Sequence, residues 1–194
     1  MIALSLGALL CIGVFNLFNT MLRLHEKQMV ESHVQEKMRF MAQFFREKIA
    51  MAGNGSCEKN KKPPRSMVIR KYNADQALDK LGLTIKPKTD LLQLRECIRF
   101  HDRQHYLPIE FFIANTYRTN THQKSIYALF MKINHHPREE LMTDMTRLRL
   151  TVYHCTHSKK NRGAVKMKYT LASIVDSRFS QRGVLYVGVR KVRV

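Results

Sequence analysis

The first residues of the chain form an uninterrupted apolar segment. No charged side chain occurs from Met1 to Leu22, and Arg23 is the first charge. As a helix this segment would be about 33 Å long, close to the ~30 Å hydrocarbon core of a membrane. A soluble domain rarely carries a helix that is apolar on all sides over this length. The pattern predicts a transmembrane helix over residues 1–22, with a buried core helix or a cleaved signal peptide as the alternatives.

The helical pattern continues past this segment. Residues 23–52 contain neither Pro nor Gly, and their apolar side chains recur at spacings of three and four, which defines one face of an α-helix. We therefore predict an amphipathic continuation of the helix over residues 23–52. The packing face of this continuation is expected to contact the head of this chain or related helices. Different parts of the helix can also contact different partners. The residues of this face are Val30, Val34, Met38, Met41, Phe45 and Ile49.

Residues 53–194 are predicted to form a β-rich head domain. Alternating and β-branched runs predict strands over 66–72, 91–100, 108–114, 125–133, 146–155 and 184–194. Short helices are predicted over 74–81 and 139–145, and the third and fourth strands are expected to form a hairpin. The predicted fold class is α+β, with a long N-terminal α-helix packed on one antiparallel β-sheet.

The charge balance favours an anionic partner. The chain has 34 Lys and Arg against 15 Asp and Glu, which gives a formal net charge of +19. Such a charge suits nucleic acid, lipid headgroups or an acidic protein. Two basic stretches form a candidate phosphate-binding patch, although solvated loops are the simpler interpretation. Its residues are Lys59, Lys61, Lys62, Arg65, Lys159, Lys160 and Arg162.

No motif of catalysis is present in the sequence. We find no G-x-S-x-G, no Walker loop and no nucleotide-binding glycine pattern. Cys97, His101 and His105 have a spacing that suits one face of a helix, but this region is predicted as a strand. His154 and His157 are too close together for a usual zinc pair. We therefore predict a protein that is not an enzyme, with no cofactor and no metal site.

Six stretches of the chain share their order with segments of a known family. They are residues 1–10 (MIALSLGALL), 35–40 (QEKMRF), 49–57 (IAMAGNGSC), 89–95 (TDLLQLR), 126–130 (IYALF) and 140–150 (ELMTDMTRLRL). Together they resemble the minor pilins of type IV pili, in particular the PilW-like group, over most of the chain. The first stretch is similar to the segment that follows the processing motif of prepilins.

The resemblance implies a type IV pilin-like fold and a structural role. The helix would lie in the inner membrane before assembly and in the filament core afterwards, with a periplasmic head. The implied partners are other minor pilins, the major pilin and inner-membrane lipid, and the implied role is in priming pilus assembly or in the tip complex. Pili of this class can take part in DNA uptake, which gives the basic patch a possible ligand. The alternatives are a minor pseudopilin of type II secretion and a membrane-anchored, basic nucleic-acid-binding protein.

The resemblance also concerns the cysteines and the start of the chain. The family often has a cysteine at the position of Cys57, which would be bridged in an oxidising compartment. Cys97 is the preferred partner and Cys155 the alternative. The processing site and the glutamate that follows it in the family are absent, so we expect the sequence to begin just after them. The family's basic leader would then hold the N-terminus in the cytoplasm.

Overall fold

The computed structural model describes residues 2–52, 67–71, 85–100, 103–120, 123–134, 136–154, 163–173 and 180–189. A few side chains within these ranges, among them those of residues 2–6 and 8, lie outside the description. The chain begins with one helix, α1 (Ile2–Met51), of 50 residues. Because neither Pro nor Gly occurs between Val14 and Ala52, nothing in the sequence breaks the helix where its apolar half meets its amphipathic half.

Eight strands follow α1 in the described part of the chain. They are β1 (Met67–Lys71), β2 (Asp90–Phe100), β3 (Arg103–Thr119), β4 (Ser125–Ile133), β5 (Glu139–Thr143), β6 (Met145–His154), β7 (Gly163–Ala172) and β8 (Ser180–Val189). Strands β1 to β5 form a five-stranded sheet in sequence order, and β6 to β8 form a separate three-stranded sheet. Every pairing is antiparallel.

The predicted fold class is therefore wrong. We expected an α+β, type IV pilin-like arrangement with one antiparallel sheet on the long helix, whereas the described part of the chain has one helix and eight strands in two sheets, and is mostly β. The helix predicted over 139–145 is also wrong, because these residues form β5 and the start of β6. Strand β7 was not predicted at all. The predicted hairpin is present as β3 and β4, and the helix predicted over 74–81 lies outside the described residues.

A single residue separates the two sheets. Asp144 lies between β5 and β6 and has a φ of 71°, a left-handed conformation that Asp tolerates better than most residues. Its carbonyl oxygen accepts a hydrogen bond from the Ala172 amide at 2.9 Å. The next strand thus leaves the first sheet and pairs with β7 instead. A second link joins the sheets, since the buried Asp90 carboxylate accepts a hydrogen bond from the Leu150 amide at 2.6 Å.

The main core lies between α1 and the inner faces of both sheets. The helix contributes four buried apolar residues to it, and the sheets contribute alternate residues, as the period of two requires. A smaller core covers the other face of the five-stranded sheet, where Ile85 packs near Leu91, Phe112 and Phe130. An isolated antiparallel bridge between Ile85 and Ala114 holds the Ile85 segment against β3. The head therefore buries both faces of its first sheet and fixes the C-terminal half of α1.

Candidate functional site: the exposed half of the helix

The N-terminal half of α1 carries apolar side chains that nothing in the described structure covers. The ten large apolar residues from 9 to 24 are each 48–73% exposed. Since successive residues are turned by about 100°, these positions lie on all sides of the helix. They are Leu9, Leu10, Ile12, Val14, Phe15, Leu17, Phe18, Met21, Leu22 and Leu24. An apolar surface this continuous is typical of a segment that contacts other molecules.

Two further observations concern this half of the helix. Cys11 is exposed and its thiol is free. Among the described residues, no helix has an apolar stretch that is long enough to span a bilayer.

The C-terminal half of α1 is packed on the head. Of the predicted packing face, the structure buries Val34, Met41, Phe45 and Ile49, and it leaves Val30 and Met38 half-buried. The Phe45 ring lies 5.5 Å from that of Phe111 in β3, in an edge-to-face arrangement. Val34 is the first buried side chain among the described side chains of the helix, about one turn after Val30, where the predicted packing face begins.

Two ion pairs fasten this half of the helix to the sheets. Lys37 Nζ lies 2.5 Å from Asp144 Oδ2, and both side chains are largely buried, at 18% and 8% exposed. Thr143 Oγ1 completes this cluster, at 3.3 Å from each partner. Nearer the end of α1, Lys48 Nζ lies 3.0 Å from Glu96 Oε2 of β2. The helix is thus joined to the residue that separates the two sheets and to β2, an interior strand of the first sheet.

Tyr169 provides a third connection between the helix and β7. Its hydroxyl donates a hydrogen bond to the Met38 carbonyl oxygen at 3.3 Å. Burial raises the pKa of the Tyr169 phenol, so the proton needed for this bond is retained at neutral pH. The ring lies directly over Gly183, its partner in β8. A Cβ atom added to Gly183 would be 2.4 Å from Tyr169 Cζ and 2.7 Å from Met38 Cε.

We expect Gly183→Ala to destabilise the protein by about 1–3 kcal/mol, because the new methyl group must displace the Tyr169 ring from its place under the helix. For a chain of this size the melting temperature should fall by roughly 3–10 °C. Gly188→Ala is the matched control on the same strand, since nothing lies within 4 Å of its Cβ position. Thermal unfolding of both variants in the same detergent would check this. Equal melting temperatures would contradict the close packing at Gly183.

A groove of about 490 Å³ runs between the middle of α1 and β5. Its lining comes from about two turns of the helix and from the edge strand of the first sheet: His33, Glu36, Lys37, Phe40, Glu140, Leu141, Met142 and Thr143. Lys37 is held by Asp144, and Glu140 by Arg118 at 2.5 Å, so two of its charged groups are already paired. Within the described residues, no group of three potential ligands could hold a metal ion.

The other predicted site residues lie mostly outside the described part of the chain. This holds for Cys57 and Cys155 and for every residue of the candidate phosphate-binding patch: Lys59, Lys61, Lys62, Arg65, Lys159, Lys160 and Arg162. Cys97 is described, lies half-buried in β2 and is in a disulfide. Because both partners considered for it lie outside the description, its pairing remains a prediction.

The structure also brings together charged residues that the sequence analysis did not select. Five cationic side chains share the outer face of the three-stranded sheet: Arg147, Arg149, Lys166, Lys168 and Arg182. The alternation of Val165, Met167, Tyr169 and Leu171 with Lys166 and Lys168 is the signal that would have identified β7 as a strand with a basic outer face.

Comparisons with known proteins do not place the chain in a family. No family model matches the sequence, and we found no match to it among curated proteins or solved structures.

Proposed function

We propose that this protein is a non-enzymatic structural subunit that assembles with other subunits through the exposed half of α1, as a minor pilin of the PilW-like kind. The proposal rests on one observation: a single continuous helix is packed on its own head at one end and exposes ten large apolar side chains at the other. Exposed apolar surface of this extent is costly in water and is stabilised when lipid or neighbouring helices cover it.

The helix is fixed to the head at one end only, and this arrangement suits a subunit that assembles through its other end. Three connections, from Lys37, Met38 and Lys48, fix the C-terminal half of α1 to the sheets. The other half therefore projects from a fixed base, and an unbroken 50-residue helix extends about 75 Å. Before assembly, inner-membrane lipid would cover the apolar half, and afterwards the helices of other minor pilins and of the major pilin would do so. The proposal does not depend on how the strands are arranged in sheets, which is the part of the fold that was predicted wrongly.

Substitutions on the exposed half of α1 test this proposal. Leu10→Glu with Leu17→Glu places two charges seven residues apart on one apolar face. Gln28→Glu with Gln35→Glu is the matched control, since these exposed positions of the same helix have the same spacing. We expect the leucine variant to reduce recovery in sheared surface filaments and in the membrane fraction by more than tenfold, because carboxylates are expensive in a lipid-like interior. The glutamine variant should assemble as the unmodified chain does.

The outcomes of this experiment separate the alternatives. Recovery of the unmodified chain in the membrane fraction, but never in sheared filaments, would favour a pseudopilin of type II secretion over a pilus subunit. A chain that is monomeric in detergent-free buffer, and whose behaviour neither pair of substitutions changes, would refute the proposal.

A further inference from the structure

The charged side chains on the outer face of the three-stranded sheet are all basic. Strands β6, β7 and β8 contain no acidic residue, and their outward positions include Arg147, Arg149, Lys166, Lys168 and Arg182. The ion pairs of Lys37, Lys48 and Arg118 involve none of these five. The same side chains cannot turn inward to reach a partner, because Leu148, Leu150, Met167 and other apolar residues occupy the inner face.

The strand register arranges these cations as a regular grid. Arg149 is directly opposite Lys168, and Thr170 lies between Arg147 and Arg182. Alternate residues of a strand are about 6.7 Å apart, and neighbouring strands are about 4.8 Å apart. Positive charges therefore repeat in two directions over the face. A ligand with a single acidic group would leave most of them unused, whereas a polyanion with charges repeated along its length would pair with several at once.

Two tyrosines lie at one end of this grid. Tyr153 of β6 is 46% exposed and Tyr186 of β8 is 60% exposed. Both flank Lys166, whose ammonium lies 5.1 Å from the centre of the Tyr186 ring. A hydrogen bond with the Tyr186 hydroxyl is the main cause that raises the pKa of Lys166, and Tyr153 adds to the effect. The lysine therefore stays charged, and the face carries two accessible aromatic rings beside its cations.

The presence of exposed tyrosine rings beside the cations favours one class of polyanion over the others. Basic surfaces with exposed aromatic rings bind single-stranded nucleic acid, since phosphates pair with the cations and bases stack on the rings. A three-stranded sheet face is too broad for the major groove of a duplex, which admits a helix or a two-stranded ribbon. Binding to an anionic membrane would use large aliphatic side chains for insertion, and of the three large exposed hydrophobic residues described on this face, Tyr153, Val184 and Tyr186, only Val184 is aliphatic. An acidic protein would make no particular use of the tyrosine rings.

We propose that the outer face of the sheet formed by β6, β7 and β8 binds single-stranded nucleic acid, with the five cations on its phosphates and with Tyr153 and Tyr186 stacked on its bases. The inference is independent of the proposed assembly through α1, because it concerns the opposite side of the head from the helix. It also uses none of the basic residues that the sequence analysis selected.

Fluorescence anisotropy with the full chain in a nonionic detergent tests this inference. The probes are labelled 30-nucleotide oligodeoxythymidylate and oligouridylate, a DNA duplex of equal length, and inorganic polyphosphate as a polyanion without bases. We expect both single strands to bind more tightly than the duplex. With five phosphate contacts, affinity for a single strand should fall roughly 100-fold between 50 and 200 mM salt. A difference between the DNA and RNA probes would show which of the two the face prefers.

Two double variants separate this face from the general positive charge of the protein. Lys166→Glu with Lys168→Glu should weaken binding of the single strands more than tenfold. Arg39→Glu with Arg46→Glu changes the net charge equally at exposed positions on the helix, and it should weaken binding less than threefold. Arg147→Gln with Arg149→Gln provides a second test on the face should the lysine variant fail to fold. Equal losses on the face and on the helix would refute the inference.

A third double variant tests the aromatic part of the proposal. Tyr153→Ala with Tyr186→Ala should weaken binding of the single strands about tenfold or more, because each stacked base contributes substantially. It should leave polyphosphate binding within twofold. Equal weakening of both probes, no weakening of either, tighter binding of the duplex, or an equally patch-dependent and tighter binding to phosphatidylglycerol vesicles would each overturn the assignment.

Discussion

Phe45→Ala is expected to lower the free energy of unfolding by about 3–5 kcal/mol, the largest effect that we predict for a single substitution in this protein. Phe45 is fully buried between the helix and the first sheet, and its ring makes edge-to-face contacts at 5.5 Å with Phe44 and with Phe111. Truncation removes these contacts and leaves a cavity that the two sheets cannot close, because both are fixed by their strand pairing.

Phe18→Ala is the matched control for this substitution. It removes the same atoms from the same helix, but Phe18 is 58% exposed on the half of α1 that does not contact the head. We expect a change of no more than about 0.5 kcal/mol in detergent. Urea unfolding with an unchanged m-value would measure both variants. Comparable losses at the two positions would mean that the helix is not part of the cooperative core.

Asp144→Asn is expected to destabilise the protein by about 2–3 kcal/mol. The amide keeps the left-handed backbone conformation that Asp144 adopts, at a φ of 71°. It removes the charge that Lys37 pairs with at 2.5 Å, in a site where the two side chains are 18% and 8% exposed. Without this partner, the Lys37 ammonium would remain largely desolvated and no longer be stabilised by an opposite charge. The expected cost is smaller than the roughly 3–5 kcal/mol for breaking a fully buried pair, because Lys37 retains some contact with water.

Glu140→Gln provides the comparison for the buried pair. It makes the same chemical change in the ion pair with Arg118, whose side chains are 55% and 31% exposed, so the expected cost is below about 1 kcal/mol. Adding Lys37→Met to Asp144→Asn should recover part of the lost stability, because the uncompensated charge is then absent. Chemical denaturation of the four chains would check this, and a smaller cost at Asp144 than at Glu140 would contradict the role that we assign to the buried pair.

The helix illustrates what local sequence can predict. Its continuity follows from the absence of Pro and Gly between Val14 and Ala52. The spacing of Val34, Met41, Phe45 and Ile49 identifies the side chains that the structure buries, because the period of a helix depends only on the backbone. Where packing begins could not be predicted, since the first buried position depends on how far the sheets reach along the helix.

The basic face of the second sheet illustrates the opposite case. Arg149 and Lys168 are 19 positions apart in the chain, and only the register of β6 on β7 makes them neighbours. The basic stretches that composition highlights, such as residues 59–65, lie outside the described residues. A count of charges gives the sign and strength of the total field, but the spatial arrangement that selects one kind of polyanion depends on strand pairing.

The sequence by itself determined the elements of short range: a long helix with an apolar half and an amphipathic half, several alternating strands, and a strong positive charge. Tertiary structure alone decided that the strands form two sheets, that Asp144 separates them and is joined to Lys37, and that five cations and two tyrosines share one surface. Periodicity reports which side of an element faces the core. The pairing of distant strands depends on contacts between residues far apart in the chain, and the period of a strand does not encode its partner.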